Sequence, residues 1–222
     1  MSDRRQRARE LARSEDPLRW FETFYCEAGD DLSQIPWADL EPNPHLVSWL
    51  DQETGGRAAG SALKIGCGAG DDAEELARRG FRTSAFDIAP RAIEICRERF
   101  PESAVEYSVA NLLNPPAEWI GAFDLVVESY TLQVLPESMR RLALGTLARL
   151  VAPGGSLLLI CRARETREPL ESFPWPLAKE ELDPLVAPTA NPKLWEASFE
   201  DFLDDEDPPV RRFRIEYRKA SQ

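Results

Sequence analysis

Three things are scarce in this 222-residue chain: histidine, paired cysteines and long apolar runs. Histidine occurs once, at His45, and Cys26, Cys67, Cys96 and Cys161 show no C-x-x-C spacing. We therefore expect buried reduced thiols and no metal site, because tetrahedral zinc needs ligands that converge. No segment approaches the roughly 20 apolar residues that span a bilayer, and the charged N-terminus lacks a signal-peptide core. The expected location is cytoplasmic, with no membrane partner.

Basic residues are also fewer than acidic residues. The chain has 27 Lys and Arg against 39 Asp and Glu, a net charge of −12. Binding to a phosphate backbone depends on Lys and Arg, so nucleic acid is not expected as a partner. Of the two basic runs, residues 4–13 are interpreted as a solvated or frayed arm. Residues 211–219 mix charged and apolar side chains as a terminal strand does.

Short apolar runs alternate with helical patterns along the middle of the chain, which is typical of a parallel sheet covered by helices. The predicted strands lie at 61–66, 82–87, 104–109, 123–128, 156–162, 194–202 and 210–218. The predicted helices lie at 71–79, 90–99, 137–151 and 178–186, with an aromatic helical segment and a short helix (42–50) before the first strand.

The stretch ALKIGCGAGDDAEEL, residues 62–76, places three glycines directly after the first predicted strand. Gly66, Gly68 and Gly70 suit a tight turn with positive φ, where a ligand can approach the backbone. The dinucleotide fingerprint G-x-G-x-x-G needs its third glycine one position later. Asp71 and Asp72 would also repel a pyrophosphate. The spacing therefore disfavours a nicotinamide cofactor.

Asp87 closes the second predicted strand, in the sequence AFDIAP. A carboxylate about twenty residues after a glycine turn can accept both hydroxyl protons of a ribose. Asp71 or Asp72 would favour a cationic amino-acid tail. Together these residues predict a nucleoside cofactor whose tail is not a pyrophosphate.

The segments GCGAG, FDIAP, FDLVVE and LVAPGGSLLLI, taken together, resemble the class I S-adenosylmethionine-dependent methyltransferases over roughly residues 40–220. The aromatic N-terminal segment and the WPL…SFEDF…RRFRIEYR ending are similar to the small-molecule branch that includes thiopurine methyltransferases. The resemblance implies a Rossmann-like, doubly wound α/β fold. Its seven-stranded sheet is mostly parallel with the last strand antiparallel, and helices cover both faces.

The same resemblance implies one domain over residues 1–222. It would comprise a helical N-terminal lid (1–55), a cofactor-binding core (56–165) and a C-terminal helix and strand pair (166–222). The cofactor would be S-adenosylmethionine, with S-adenosylhomocysteine as product. The acceptor would be a small molecule methylated on sulfur, nitrogen or oxygen, and the protein a monomer or homodimer.

The resemblance also implies roles for individual residues. The expected cofactor contacts are Gly66, Cys67, Gly68, Gly70 and Asp72 for the methionine part, Asp87 for the ribose, Ile88, Asn111 and Leu112 for the adenine, and Glu128, Trp20 and Trp37. Glu128 and Tyr130 are the catalytic candidates, with His45 as a further possible base. Trp20, Phe24 and Trp37 are the expected lid.

Lys64 departs from the family, which usually has an acidic or aliphatic residue two positions before the first glycine. We expect its ammonium to reach solvent, or alternatively to be neutralised by Asp71, Asp72 or Glu128. Lys64 also motivates a second hypothesis, a module that binds the cofactor or its product with little or no turnover. A nicotinamide-dependent oxidoreductase is the third.

Overall fold

The structure is a computed structural model that describes residues 2–11, 16–52, 60–169, 173–187 and 193–221. The chain divides into two compact units, Met1–Asn114 and Pro115–Gln222. The predicted boundary between residues 55 and 56 lies outside the described residues, and the single-domain organisation stays a prediction.

Among the described residues, the first unit contains three parallel strands, and three α-helices precede the first of them. In chain order its elements are α1 (Ser2–Leu11), α2 (Trp20–Ala28), α3 (Pro44–Gln52), β1 (Ser61–Ile65), α4 (Asp71–Arg78), β2 (Arg82–Asp87), α5 (Pro90–Arg99) and β3 (Glu106–Val109). The strands lie in the order β3-β2-β1, and Ile65 pairs with Phe86. Helices α4 and α5 pack on these strands. Ala62, Leu63 and Ile65 are fully buried, as expected for a strand covered on both faces.

Residues 4–13 were interpreted as a solvated or frayed arm, and the frayed alternative is wrong for residues 4–11, which belong to helix α1. Arg7 makes a two-bond ion pair with Glu27 of α2, at 2.6 and 2.7 Å, and Ala8 is buried. Arg7 also lies over the Phe24 ring, 5.7 Å from its centroid. These contacts stabilise a helix too short and too polar to form alone. Residues 12–15, which include the end of the basic run, lie outside the described residues.

The second unit contains a mixed group of strands. Its elements are β4 (Phe123–Ser129), α6 (Glu137–Leu150), β5 (Val151–Arg162), α7 (Lys179–Leu182), β6 (Leu194–Leu203) and β7 (Arg211–Lys219). The strands lie in the order β4-β5-β7-β6, with β4 and β5 parallel. Strand β7 is antiparallel to both of its neighbours, as predicted for the last strand. Helix α6 packs on β4 and β5.

Two elements differ from their predicted bounds by four or more residues at one end. Strand β5 begins at Val151, directly after α6, so the APGG segment belongs to the strand. A Cβ atom on Gly155 would lie 2.9 Å from the carbonyl oxygen of Asp124, which explains the glycine there. The helix predicted at 178–186 is α7 followed by a 3-10 turn at Asp183–Leu185. Pro184 lacks the N–H that an α-helix would require.

Within the described ranges, no helix is both long enough and apolar enough to cross a bilayer. Three of the four cysteines are buried as expected, whereas Cys26 is exposed on α2.

Candidate functional site

The turn between β1 and α4 has the backbone that the three glycines predict. Gly66, Gly68 and Gly70 have φ angles of 55°, 56° and 100°, all in the region that side chains disfavour. A Cβ atom on Gly70 would lie 2.8 Å from Tyr107 Oη and 3.2 Å from Cys96 Sγ. The third glycine is therefore required by packing as well as by conformation.

Cys67, a predicted cofactor contact, is held inside the same turn. Its N–H donates to the Phe86 carbonyl of β2 at 2.9 Å, and its side chain is buried. A hydrogen bond with Cys96, together with burial, raises the pKa of the Cys67 thiol well above its usual value. The thiol therefore stays protonated at neutral pH and acts in packing.

Asp87, the predicted ribose acceptor, joins the end of β2 to the glycine turn. Its Oδ2 accepts from the Gly68 N–H at 3.1 Å, and its Oδ1 accepts from the Ala89 N–H at 3.0 Å. Burial raises the pKa of this carboxyl group, and these two N–H bonds partly offset the effect. Each oxygen retains a second lone pair, so the carboxylate can still accept hydroxyl protons.

Helix α2 reaches the same turn through Tyr25, a residue that the sequence analysis did not assign to the site. Tyr25 is 1% exposed, and its Oη lies 3.4 Å from the Cβ position of Gly68. That oxygen accepts a hydrogen bond from Trp37 Nε1 at 2.8 Å. Burial, and then the nearby Asp87 charge, raise the pKa of the Tyr25 hydroxyl. The signal was its place in the same aromatic stripe as Trp20 and Phe24.

The predicted lid residues form one aromatic cluster. The Trp20 ring is buried, with centroids 5.6 Å from Phe24 and 5.4 Å from Trp37. Trp37 is half-buried and lies 5.8 Å from the Tyr25 ring. Within the cluster, Trp20 supports its neighbours, while Tyr25 and Trp37 lie next to the glycine turn. A direct cofactor contact from Trp20 or Trp37 stays a prediction.

Lys64 does not reach solvent, so that expectation is wrong. The residue is 2% exposed, and its Nζ donates to the Ile65 carbonyl at 2.8 Å and to the Gly66 carbonyl at 3.4 Å. Asp72 Oδ2 lies 3.6 Å from the same ammonium, as the neutralisation alternative predicted. The strand is covered on both sides, so the chain neutralises the charge internally.

Both acidic residues at the start of α4 are held by other groups of the first unit. Asp72 Oδ1 accepts from the Asn43 N–H, just before α3, at 2.8 Å. Asp71 forms a two-bond ion pair with Arg99, at 2.7 and 2.8 Å. Lys64 and Arg99 therefore neutralise the two carboxylates that were predicted to attract a cationic tail. A contact of Asp72 with the cofactor stays a prediction.

The loops after β2 and β3 contain the residues predicted for the adenine. Ile88 is half-buried directly after Asp87, and Leu112 is buried. The side-chain oxygen of Asn111 accepts from the Leu113 N–H at 2.9 Å, which fixes a turn. Its second lone pair remains the predicted acceptor for adenine.

The catalytic candidates lie in the second unit, where β4 ends. Glu128 is fully buried, and its Oε1 accepts from the N–H groups of Thr131 and Leu132 at 2.7 and 2.9 Å. Tyr130 has a φ of 65°, which is strained for a bulky residue, and Arg212 lies 5.1 Å from its ring centroid. Glu128 thus fixes the turn that follows Tyr130. A direct catalytic role for either residue stays a prediction.

Comparison with known proteins identifies the domain. Residues 62–155 match the model of the methyltransferase domain family. A ubiquinone biosynthesis O-methyltransferase of Xanthomonas oryzae is 35% identical over 104 residues, which are 46% of this chain and 43% of that protein. The chain thus matches less than half the length of this relative.

Two solved structures share the fold. An N-methyltransferase from Bradyrhizobium japonicum, in complex with S-adenosyl-L-homocysteine, has a TM-score of 0.59 at 21% identity and covers 97% of both chains. The magnesium protoporphyrin IX methyltransferase of Synechocystis with bound S-adenosylmethionine has a TM-score of 0.68 at 16% identity, covering 94% of this chain and 99% of that one. The predicted class I fold, with seven strands and the last one antiparallel, is confirmed.

Proposed function

We propose that this chain, which carries a class I S-adenosylmethionine-dependent methyltransferase domain, transfers a methyl group from that cofactor to a small molecule. One observation carries the proposal. The glycine turn after β1 has three positive-φ glycines, and the Asp87 carboxylate at the end of the neighbouring strand is hydrogen-bonded to one of them, Gly68. That arrangement suits a ribose attached to a chain that passes close to the backbone.

The residues of the first unit fit the cofactor. Asp87 would accept the ribose hydroxyl protons, and Ile88 would pack on the adenine. Asn111 would accept from the adenine amino group, and the Leu112 amide would donate to a ring nitrogen. The bare Cα atoms of Gly66 and Gly68 would leave room for the amino-acid tail.

When bound, S-adenosylmethionine supplies an electrophilic methyl carbon and a thioether leaving group that needs no acid. The protein contributes orientation and exclusion of water. Tyr25 and Trp37 would cover the turn, and their mutual hydrogen bond satisfies both polar atoms so that the rings can be buried. Glu128 would hold the turn beside Tyr130, and Tyr130 or Glu128 would accept a proton if the acceptor arrives protonated.

The acceptor is proposed to be a small molecule methylated on oxygen, nitrogen or sulfur. The names of the similar proteins support small acceptors, with oxygen in one and nitrogen in another. The thiopurine-like branch stays a prediction. The non-catalytic binding hypothesis stays the alternative, and the ion pair of Lys64 with Asp72 weighs against it.

Titration calorimetry with S-adenosylmethionine, S-adenosylhomocysteine and NAD tests the cofactor. The first two should bind in the micromolar range, roughly −6 to −8 kcal/mol, and NAD should not bind. Incubation with a library of small acceptors, read by mass spectrometry for the gain of one CH₂ unit, tests the reaction. Cofactor binding without any methylated product would support the non-catalytic alternative, and binding of NAD alone would overturn the proposal.

A further inference from the structure

The carbonyl groups of the glycine turn are occupied from within the first unit. Each backbone carbonyl from Ile65 to Gly70 accepts a hydrogen bond. The donors are Lys64 Nζ for Ile65 and Gly66, the Gly70 N–H for Cys67, Cys96 Sγ for Gly68, Arg99 Nη1 for Ala69 and the Glu74 N–H for Gly70. Each oxygen keeps a second lone pair, but a ligand ammonium that approached Ile65 or Gly66 would have to share its acceptor with the Lys64 ammonium.

The carboxylates beside the turn are occupied in the same way. Asp71 pairs with Arg99, and Asp72 pairs with Lys64 while also accepting from the Asn43 N–H. An amino-acid tail carries one ammonium group and one carboxylate. The acidic groups that would attract the ammonium of such a tail are therefore already paired with Lys64 and Arg99.

Lys64 is the residue that decides this arrangement. Its Nζ lies within 3.6 Å of two carbonyl oxygens and one carboxylate oxygen, a set of acceptors that suits an ammonium ion. A second ammonium next to these acceptors would be repelled by the first, because the site is buried and poorly screened. Lys64 therefore fills the acceptor set itself.

We propose that Lys64 takes the place of the ligand's own ammonium group, so that the site does not select for the α-amino group of its cofactor. The inference rests on the proposed function and deepens it. Recognition of the tail then falls to its carboxylate, because Lys64 and Arg99 neutralise the two carboxylates of α4 that would otherwise repel it. Lys64 becomes a specificity-determining residue of the glycine turn.

Three ligands test the inference on the unmodified protein. They are S-adenosylhomocysteine, its analogue with hydrogen in place of the amino group, and its analogue with hydrogen in place of the carboxylate, each titrated by calorimetry. The deaminated analogue should bind within about threefold of S-adenosylhomocysteine, and the decarboxylated analogue at least about tenfold more weakly. Deaminated ligand that binds tenfold or more weakly would overturn the inference.

The Lys64→Met variant should gain selectivity for ligands that carry the α-amino group. It removes the Lys64 donor from the carbonyl groups of Ile65 and Gly66 and the counter-ion from Asp72, so S-adenosylhomocysteine should now bind about tenfold more tightly than the deaminated analogue. In the matched control Lys64→Met/Asp72→Asn, which lacks the carboxylate, this preference should fall to about threefold or less. A folded Lys64→Met variant with the unmodified protein's preference would overturn the role of Lys64.

The ligand titrations distinguish failure of the inference from failure of the proposed function. If Lys64→Met does not fold, the ligand series on the unmodified protein still decides the inference. If none of the three ligands binds the unmodified protein, the proposed function itself is overturned, and the inference with it. A selective loss of affinity for the deaminated ligand overturns the inference alone.

Discussion

The hydroxyl oxygen of Tyr25 accepts a hydrogen bond from Trp37 Nε1 at 2.8 Å and lies 3.4 Å from the Cβ position of Gly68. The bond connects helix α2 to the segment before α3, directly beside the glycine turn. Both side chains pack in one apolar cluster with Ala69 and Ala89, which flank the glycine turn and the end of β2. The aromatic segment is therefore part of the core of the first unit as well as a cover for the turn.

A double-mutant cycle on Tyr25→Phe and Trp37→Phe measures this bond. Each substitution removes one of its two partners, so each should lower the free energy of unfolding by about 0.5–1.5 kcal/mol beyond any packing change. The two losses should not add, and a coupling of about 1 kcal/mol is expected from denaturant unfolding. Fully additive losses would show that the bond contributes nothing to stability.

Gly70→Ala should be strongly destabilising, by about 2–4 kcal/mol in urea unfolding. The new methyl group meets a φ of 100° and would lie 2.8 Å from Tyr107 Oη. Gly29→Ala is the matched control in the same unit, because its φ is 57° with no atom within 4 Å of the new Cβ. That variant should lose only the left-handed strain, about 1–2 kcal/mol. Equal losses would rule out the collision at Gly70.

Asp87→Ala should weaken S-adenosylhomocysteine by about 1.5–3 kcal/mol, as expected for a charge-assisted contact with two hydroxyl groups. Unchanged affinity in calorimetry would overturn the ribose assignment. Asp87→Asn keeps the shape, and it serves as the control for the charge.

The raised pKa of Asp87 also predicts how ligand affinity depends on pH. The ionised form accepts the hydroxyl protons, so affinity should be full above that raised pKa and fall as the pH drops through it. The fall should begin at a higher pH than an ordinary aspartate would give. Ionisation of the buried Asp87 lowers the free energy of unfolding, because the charge is better solvated in the unfolded chain. This loss of stability is present above the raised pKa and is relieved as the pH falls below it. In the Asp87→Asn variant, the fall of ligand affinity at low pH should disappear. A variant with the same pH profile as the unmodified protein would contradict this prediction.

Glu128→Gln and Glu128→Ala separate a structural from a chemical role. The glutamine oxygen can still accept from the N–H groups of Thr131 and Leu132, so Glu128→Gln should keep stability within about 1 kcal/mol. Glu128→Ala leaves both donors unsatisfied and should cost about 2–4 kcal/mol. If Glu128 is the base, turnover is lost in the stable Glu128→Gln variant. Retained turnover there would restrict Glu128 to positioning the turn.

The elements that the sequence predicted well are those fixed by local pattern. The strands around Leu63 and Phe86, and the positive φ of the three glycines, follow from residue type and spacing along a short segment. The place of Tyr25 depends instead on how α2 packs against α5 and against the glycine turn, both distant along the chain. Sequence alone identified the aromatic stripe, but not which of its rings would meet the turn.

The same distinction explains Lys64. A lysine in an apolar strand predicts either a solvent-exposed head or an internal partner, and local pattern cannot choose between the three candidate carboxylates. The choice depends on the geometry of the turn, which brings the start of α4 back to the end of β1. Helix α1 was missed for a related reason, because its stability depends on Glu27 and Phe24.

The Lys64–Asp72 pair should also restrict which substitutions are tolerated at positions 64 and 72 among related sequences. An acidic residue at position 64 would face Asp72 at a few ångströms, and two like charges in a buried site are strongly unfavourable. A chain could exchange Lys64 for an acid only through a neutral intermediate or after losing Asp72. Among close relatives, these two positions should therefore change together, and their summed charge should stay near zero.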